Sequence, residues 1–291
     1  MKPSSFAYHR PTTIEEALDV LTETGSDGKV LAGGQSLVPL MSMRLAAPAH
    51  LVDINRIEGL ANVRTGTEGV RVGATARHAD VEHDEAAHVA VPLLRQALRH
   101  VAHPTIRNRG TTVGSLAHAD PSGEMTAVLA LLGGRVTLRR RSGERVVAAE
   151  EFFLGPLESA VEPGEVAVEA IFPAPPPRTG SAWAEVARRH GDYAVCGIGA
   201  LVTLDADERV ESARVGLISV GPTPVVVDVS EAVAGQPHDS VDTAAAGRLV
   251  MDAVDPDPDI HATAEYRRSL AGTLTSRAVG TAATRAAERP R

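Results

Sequence analysis

Apolar positions recur at helical spacing in five segments of the chain. In the segment Thr13–Thr24 they fall every three or four residues, which predicts an amphipathic helix with one buried face. The same periodicity predicts four further helices, over Val91–Val101, Ser122–Leu132, Asp239–Val254 and Thr263–Ala286. We expect the helix at Ser122–Leu132 to end at Gly133 and Gly134, because glycine is a common residue at helix ends.

Short apolar runs without helical spacing predict strands in two groups. The first group has strands at Lys29–Ala32, His50–Ile54 and Gly69–Ala74 and a hairpin over Arg135–Val147. The second group has three strand-like runs, Ala182–Arg189, Cys196–Asp205 and Arg209–Val220. Short turns join these three runs, which is typical of an antiparallel meander.

A proline-rich stretch separates the two groups of strands. Phe172–Gly180 reads FPAPPPRTG, and its four prolines in five positions exclude a helix or a central strand. We therefore predict an α+β protein with an N-terminal domain over residues 1–175. A smaller C-terminal domain over residues 181–291 is expected to contain a three-stranded antiparallel sheet and helices.

Composition and charge limit the partners of the chain. Its 291 residues carry a formal net charge of −8, which disfavours nucleic acid and anionic membranes as partners. No apolar run reaches the roughly 18 residues of a membrane span, and the N-terminus lacks the apolar core of a secretion signal. We therefore expect no membrane insertion and a cytoplasmic protein. Cys196 is the single cysteine, so this chain cannot hold an iron–sulfur cluster by itself.

A glycine pair stands between a predicted strand and a predicted helix. Gly33 and Gly34 follow the apolar run at Lys29–Ala32, and glycine permits a positive φ and a close approach of a ligand. Backbone amides of such a turn converge on an anion, and Gln35 and Ser36 add side-chain donors. The stretch Ala32–Ser36 is therefore a candidate diphosphate cradle, with a tight turn that binds no ligand as the alternative.

A second loop, at Arg109–Pro121, repeats this chemistry. The hydroxyls of Thr111, Thr112 and Ser115 could donate to phosphate oxygens, and a helix follows. Glu124 falls in the first turn of that helix, where a carboxylate could bind a ribose hydroxyl or complement the helix dipole. Two such loops suit a long ligand with two phosphates between two organic ends.

The two loops together resemble a known pair of signatures. Ala32–Pro39 reads AGGQSLVP and Arg109–Pro121 reads RGTTVGSLAHADP. Both are similar to motifs of the FAD-binding medium subunit of molybdenum hydroxylases, the carbon monoxide dehydrogenase and xanthine dehydrogenase group. The stretches RRHGDYAV (Arg188–Val195), VGPTPV (Val220–Val225) and YRRSLAGTLTSRAV (Tyr266–Val279) extend the resemblance into the C-terminal domain.

The resemblance implies a site for FAD. It implies a two-subdomain FAD-binding domain of the PCMH-like kind, with subdomains at about residues 1–56 and 57–175 and the cofactor between them. It further implies that Glu124 lies near the adenosine half and that Tyr193 covers the isoalloxazine. The residues implied to hold the diphosphate are Ala32, Gly33, Gly34, Gln35, Ser36, Thr111, Thr112, Val113, Gly114 and Ser115. No catalytic residue and no metal ligand are predicted.

The resemblance also implies a function. Electrons would reach the flavin from a molybdopterin-containing large subunit through a small subunit with 2Fe-2S clusters, and would leave to an external acceptor. Two alternatives remain open: a stand-alone FAD-dependent oxidoreductase that acts on a small molecule, and a flavin-free assembly subunit of the same fold.

Several positions carry narrower expectations. Val113 stands where the family usually has a glycine, and valine resists a positive φ, so either the peptide keeps a negative φ or the loop is rearranged. Glu185 falls near a position where relatives often carry lysine, and a carboxylate there would disfavour an anionic reduced flavin. His78, His83 and His88 recur every five residues, which does not place them on one helical face, and we expect solvated side chains.

Overall fold

The first segment of the chain forms a small parallel sheet covered by one helix. The computed structural model describes residues 2–289. The elements of the first segment are β1 (Ala7–His9), α1 (Ile14–Thr24), β2 (Gly28–Leu31), α2 (Leu37–Ser42) and β3 (His50–Asp53). The strand order is β1-β3-β2, and both pairings are parallel. The predicted helix and the two predicted strands of this segment are confirmed.

Helix α1 shows why this sequence folds as it does. The hydroxyl of Thr13 accepts a hydrogen bond from the Glu16 amide at 3.2 Å, which caps the start of the helix. The helix buries one face, as its periodicity predicts, and that face packs against the sheet and against Ala74 and Val166 of the next segment. The buried residues of α1 are Ile14, Ala17, Leu18 and Leu21.

The second segment forms a five-stranded antiparallel sheet with helices around it. Its order is β4-β5-β10-β6-β7, so β10 pairs with β5 and β6 at the centre. The strands are β4 (Val63–Gly66), β5 (Gly69–Gly73), β6 (Arg135–Arg140), β7 (Gly143–Ala148) and β10 (Val166–Phe172), with a separate pair β8 (Phe153–Gly155) and β9 (Glu158–Ser159). The helices are α3 (His78–His83), α4 (Glu85–Ala90), α5 (Pro92–Leu98), α6 (Pro104–Arg107), α7 (Thr112–His118), α8 (Glu124–Leu131) and α9 (Ala149–Phe152).

The third segment is an antiparallel sheet followed by three helices. The predicted strands are present as β11 (Thr179–Ala187), β12 (Ala194–Leu204) and β13 (Val210–Ile218). A short fourth strand, β14 (Val225–Asp228), joins the edge at β13, so the sheet has four strands in the order β11-β12-β13-β14. Three helices follow, α10 (Ser230–Val233), α11 (Thr243–Ala253) and α12 (Ala264–Glu288).

Helix α8 joins the second segment to the third. All eight of its residues are buried, because the helix packs in the core of the second segment and also on the C-terminal sheet. A β-carbon on Gly216 of β13 would lie 3.1 Å from the Ala127 carbonyl of α8 and 2.9 Å from Leu131 Cβ. Glycine at position 216 therefore permits a close helix-to-sheet contact.

Residues 173–178 of the predicted linker form neither helix nor strand, whereas Phe172 ends β10 and Thr179 and Gly180 begin β11. Each of the three main sheets lies within one predicted unit of the chain: the two subdomains of the N-terminal domain and the C-terminal domain. On that basis we propose the predicted boundaries, near residues 56 and 175. Within residues 2–289, no helix is both long and apolar enough to cross a bilayer.

Candidate functional site

The two glycine loops contact each other directly. A β-carbon built on Gly33 would lie 2.5 Å from the Arg109 carbonyl oxygen and 2.7 Å from Gly110 Cα. Both distances are shorter than a carbon side chain tolerates, so any residue larger than glycine at position 33 would push the loops apart. The fold thus brings together the two stretches that the sequence singles out.

The first loop presents a row of unpaired amides. Gly34 has a φ of 71°, a conformation that glycine adopts without strain. The amides of Gly34, Gln35, Ser36 and Leu37 donate to no acceptor among residues 2–289. Backbone amides that remain free at a glycine turn are suited to an anion. The Gln35 side chain turns back and donates to the Gly33 carbonyl at 3.0 Å, so its amide group stabilises the turn.

The second loop offers fewer hydroxyl groups than its sequence indicates. Thr111 caps α7 by accepting from the Gly114 amide at 3.2 Å, and Thr111 is 3% exposed. The Thr112 hydroxyl is buried and lies 3.1 Å from Nδ1 of His78. The side chains of Thr111 and Thr112 therefore stabilise the loop from inside. Ser115 is half-buried, and no described residue binds its hydroxyl.

Val113 occupies an ordinary helical position. It is the second residue of α7, it has no positive φ, and its side chain is 1% exposed in the core of the second segment. The missing family glycine is therefore accommodated by a helical turn with a negative φ. The Val113 amide donates to no acceptor among the described residues and remains free at the start of the helix.

His78 is a residue whose role the sequence did not reveal. It is buried, its amide donates to the Gly110 carbonyl at 2.9 Å, and its ring lies against Gly110. Burial and the nearby positive charge of Arg107 lower the pKa of His78 to about 4, so the ring is neutral at pH 7. The expectation of solvated histidines is wrong for His78. It is correct for His83, which is exposed, whereas His88 is half-buried.

A hydrogen-bonded pair, Arg77 and Asn55, connects the two glycine loops. Arg77 donates to the Arg109 carbonyl at 2.7 Å and to Oδ1 of Asn55 at 2.7 Å. The Asn55 amide in turn donates to the Ala32 carbonyl at 2.8 Å. Neither residue lies in a glycine motif, and only the tertiary structure shows their connection to both loops.

The second loop ends in a group of acidic side chains. Asp120 accepts from the Ser122 amide at 2.8 Å, and the turn that follows places Gly123 at the cap of α8. Glu124 then begins α8 and is 9% exposed. Burial, together with the charge of Glu185, raises the pKa of Glu124 to about 8. The Glu124 carboxyl is therefore largely protonated at pH 7.

Glu185 and Tyr193 reach this group from the C-terminal domain. Burial raises the pKa of Glu185 to about 7, against a lowering effect of the Trp183 indole, which donates to Glu185 at 3.1 Å. Burial and the charges of Asp120 and Glu124 raise the pKa of Tyr193. Tyr193 is nevertheless 69% exposed as a residue, so its ring is available to cover a ligand.

Comparisons with known proteins decide which cofactor belongs here. Residues 4–175 match the sequence model of the family described as "FAD binding domain in molybdopterin dehydrogenase". Residues 181–282 match the model described as "CO dehydrogenase flavoprotein C-terminal domain". This chain belongs to the FAD-binding subunits of the molybdopterin dehydrogenase family. It is a flavoprotein subunit of the oxidoreductase class, and its cofactor is FAD.

The similarity of this flavin subunit to its relatives spans nearly the whole chain. The 6-hydroxypseudooxynicotine dehydrogenase complex subunit alpha of Paenarthrobacter nicotinovorans is 40% identical over 98% of this chain and 97% of its own length. The caffeine dehydrogenase subunit beta of Pseudomonas sp. (strain CBB1) has the same identity and coverage. The structure of quinoline 2-oxidoreductase from Pseudomonas putida 86 superimposes with a TM-score of 0.93, at 34% identity, over 98% of this chain and 99% of that chain.

The residues of the flavin subunit fit a dinucleotide cofactor. The first loop has free amides without a basic side chain of its own, and the second loop adds the Val113 amide and the Ser115 hydroxyl. Burial lowers the pKa of Arg77, and the positive charge of the exposed Arg109 lowers it further, so the two side chains lie close together. A diphosphate placed there would meet positive charge and unpaired donors, whereas residues 32–36 and 109–115 include no acidic side chain and Asp120 lies at the far end of the second loop, after α7.

Proposed function

We propose that this chain is the electron-transferring FAD subunit of a molybdenum-containing hydroxylase. It would take electrons from 2Fe-2S clusters of a small subunit that are reduced by a molybdopterin-containing large subunit, and pass them to an external acceptor. The observation that carries the proposal is the direct contact between the two glycine loops, the first of which presents a row of free amides. Relatives of the chain that are named as subunits of dehydrogenases support it.

The single cysteine supports the division of labour among subunits. Cys196 lies on β12 and is fully buried, and burial raises the pKa of its thiol to about 12. A buried, protonated thiol binds no iron, and a 2Fe-2S cluster needs several thiolate ligands. The proposed clusters would therefore belong to another chain, and relatives named as a medium subunit and a medium chain support this assignment.

The loops would hold the diphosphate of FAD, and the exposed ring of Tyr193 would cover the isoalloxazine. When bound, FAD supplies the redox chemistry, because a flavin can exchange electrons with both one-electron and two-electron partners. This chain binds and orients the cofactor and sets its electrostatic surroundings. The residues that the resemblance implies for the diphosphate keep their places in this proposal, with Val113 acting through its free amide. Thr111 and Thr112 act as supports of the loop, since their hydroxyls contact the Gly114 amide and His78 and the Thr112 amide donates to the Ala76 carbonyl.

Glu124 is better placed at the isoalloxazine half than at the adenosine half. The Ser219 hydroxyl lies 2.9 Å from the Ser122 hydroxyl and 2.8 Å from the Ala194 carbonyl, so the segments that carry Glu124 and Tyr193 meet at the same end of the second loop. A diphosphate separates the two halves of FAD, and one end of the loop faces only one half. The carboxyls of Glu124 and Glu185, whose pKa values are raised to about 8 and about 7, would then place neutral hydrogen-bonding groups near the flavin, in contrast to the carboxylate that the sequence suggests at Glu185.

Copurification from the native host tests the proposal. A tagged chain should recover a large subunit with molybdenum and a small subunit with iron. It should also carry FAD that acid precipitation releases completely into the supernatant, since neither glycine loop has a cysteine and His118, the one histidine in the two loops, lies at the opposite end of α7 from the free Val113 amide. Recovery of the chain alone, with turnover of a substrate by that chain, would support the stand-alone flavoenzyme. Recovery of partners without any flavin would support the assembly subunit.

A further inference from the structure

A buried arginine of the C-terminal helix reaches the chain segment that carries Tyr193. Arg267 of α12 is 6% exposed. One of its terminal nitrogens, Nη1, donates to the Val195 carbonyl at 2.7 Å and to the Ser219 carbonyl at 3.0 Å. The other, Nη2, donates to Asp259 at 2.6 Å. A single guanidinium therefore joins the start of β12, the end of β13 and the loop before α12.

Ser219 connects the same segment to the second glycine loop. Its φ is 64°, which a residue other than glycine seldom adopts and which the surrounding contacts must maintain. Its amide donates to the Pro121 carbonyl at 2.9 Å. Its hydroxyl lies 2.8 Å from the Ala194 carbonyl and 2.9 Å from the Ser122 hydroxyl. Since a carbonyl can only accept, Ser219 donates to Ala194 and accepts from Ser122.

Tyr193 depends on these contacts for its position. The chain before it forms an exposed turn, where Arg189 pairs with Asp192 and Gly191 has a φ of 86°. The chain after it is buried, because Ala194 packs against Ala127 of α8 and Ile218 of β13. Tyr193 itself is mostly exposed, so its backbone position is set by the buried segment that follows it.

We propose that Arg267 and Ser219 are positioning residues for the flavin, which hold the Tyr193 backbone against the end of the second glycine loop. This inference rests on the proposed function, because it takes Tyr193 as the residue that covers the isoalloxazine. Arg267 and Ser219 need not touch the cofactor: the guanidinium holds Val195 and Ser219, and Ser219 holds Ala194 and Pro121. Loss of either residue would let Tyr193 move away from the loop without changing the diphosphate cradle.

Arg267→Gln and Arg268→Gln form a matched pair for the test. Arg268 is the next residue on the same helix and pairs at 2.8 Å with the fully exposed Asp255. Unlike Arg267, it makes no hydrogen bond to Val195 or Ser219. Both variants are made in the full chain, purified with the subunits that accompany it. Two quantities are measured: the dissociation constant of FAD and the fluorescence of bound FAD, which a tyrosine in contact with the isoalloxazine quenches.

The proposal gives a specific pattern. Arg267→Gln should raise the dissociation constant by up to about tenfold, the effect expected when an aromatic ring no longer lies against the isoalloxazine, and should increase the fluorescence of bound FAD. Arg268→Gln should change neither quantity. In a Tyr193→Ala background, Arg267→Gln should have almost no further effect on either quantity, because the ring that it positions is already absent.

Ser219→Gly gives the second arm if Arg267→Gln does not fold. Glycine accepts the positive φ, so this variant removes the hydroxyl contacts without adding strain. It should weaken FAD binding and raise the fluorescence of bound FAD in the chain that retains Tyr193, and should change neither in the Tyr193→Ala background. An equal effect of either variant with and without Tyr193 would overturn the proposal, as would no effect in the Tyr193 chain. A wild-type chain that never binds FAD would instead refute the proposed function from which the inference starts.

Discussion

Gly33 and Gly110 lie so close that a β-carbon on Gly33 would come within 2.7 Å of Gly110 Cα. This contact connects two loops that are 77 positions apart in the chain, and it explains a glycine for which backbone conformation gives no reason, since Gly33 has no positive φ. The first glycine of the pair is needed for packing between the loops, and the second, Gly34, is needed for its left-handed conformation.

Gly33→Ala should therefore separate the loops. The added methyl group meets backbone atoms, which cannot move aside as a flexible side chain can, and overpacking of this kind costs about 1–3 kcal/mol. We expect a lower free energy of unfolding, measured by denaturant titration, and weaker FAD binding, measured by calorimetry. Gly66→Ala is the control, because nothing lies within 4 Å of its β-carbon position and its φ is not positive. Equal behaviour of the two variants would contradict the loop contact.

Val113→Gly should destabilise the chain without improving the site. The variant removes a fully buried side chain and places glycine inside α7, which together cost about 3 kcal/mol in the free energy of unfolding. The affinity for FAD should stay the same, because the Val113 amide already faces out of a helix with a negative φ. Val113→Ala, which keeps the helix propensity, should lose less stability. Tighter FAD binding by the glycine variant would show that valine strains the loop.

Glu124 makes stability depend on pH in a specific direction. Its pKa is raised from 4.5 to about 8 in the folded chain, so the folded state holds a proton that the unfolded state has released. The contribution of Glu124 to stability is complete below pH 4.5 and is lost as the pH rises to 8. At about 1.4 kcal/mol per pKa unit, the loss is on the order of a few kcal/mol.

The variant Glu124→Gln isolates this effect. The free energy of unfolding is measured from about pH 5 to about pH 8, the range in which the folded and unfolded chains differ in the protonation of Glu124. Over this range it should fall more steeply for the wild type than for Glu124→Gln. Glu151→Gln, at an exposed position of α9, should follow the wild type. Parallel curves for the wild type and Glu124→Gln would show that the Glu124 carboxyl is ionised in the folded chain throughout.

The sequence predicts the local features of this fold well. The periodicity of Thr13–Thr24 predicts α1, and the prolines after Phe172 predict the break between the sheets, because both signals act within a few residues. Strand β10 was not predicted, although it is the centre of its sheet. Both of its neighbours along the sheet are distant in the chain, and its sequence has no clear alternation of apolar and polar positions.

The candidate site could be predicted only in part. The glycine loops carry their own signal, and the structure brings them into contact. The interior supports do not: His78, Arg77 and Asn55 lack a recognisable spacing, and their roles arise from contacts between distant segments. The same holds for Thr112, whose hydroxyl is as suited to a phosphate as to the buried imidazole that it contacts, so the sequence cannot distinguish the two.

The central claim is that the first glycine loop binds the diphosphate of FAD, and Gly34→Ala tests it with two ligands. Gly235→Ala is the control for backbone strain, because Gly235 has a similar φ of 75° in the C-terminal domain, and both variants should lose about 1 kcal/mol of stability from that strain. A β-carbon on Gly34 would also lie 3.2 Å from Val38 Cγ2 and 3.3 Å from Leu31 Cδ1, so Gly34→Ala needs a further small shift of these side chains. Calorimetric titration with FAD and with riboflavin, which lacks the diphosphate, then gives the decisive comparison. We predict that Gly34→Ala weakens the binding of FAD and leaves the binding of riboflavin unchanged, while Gly235→Ala alters neither. An equal loss for both ligands, or no loss for FAD, would contradict the diphosphate cradle.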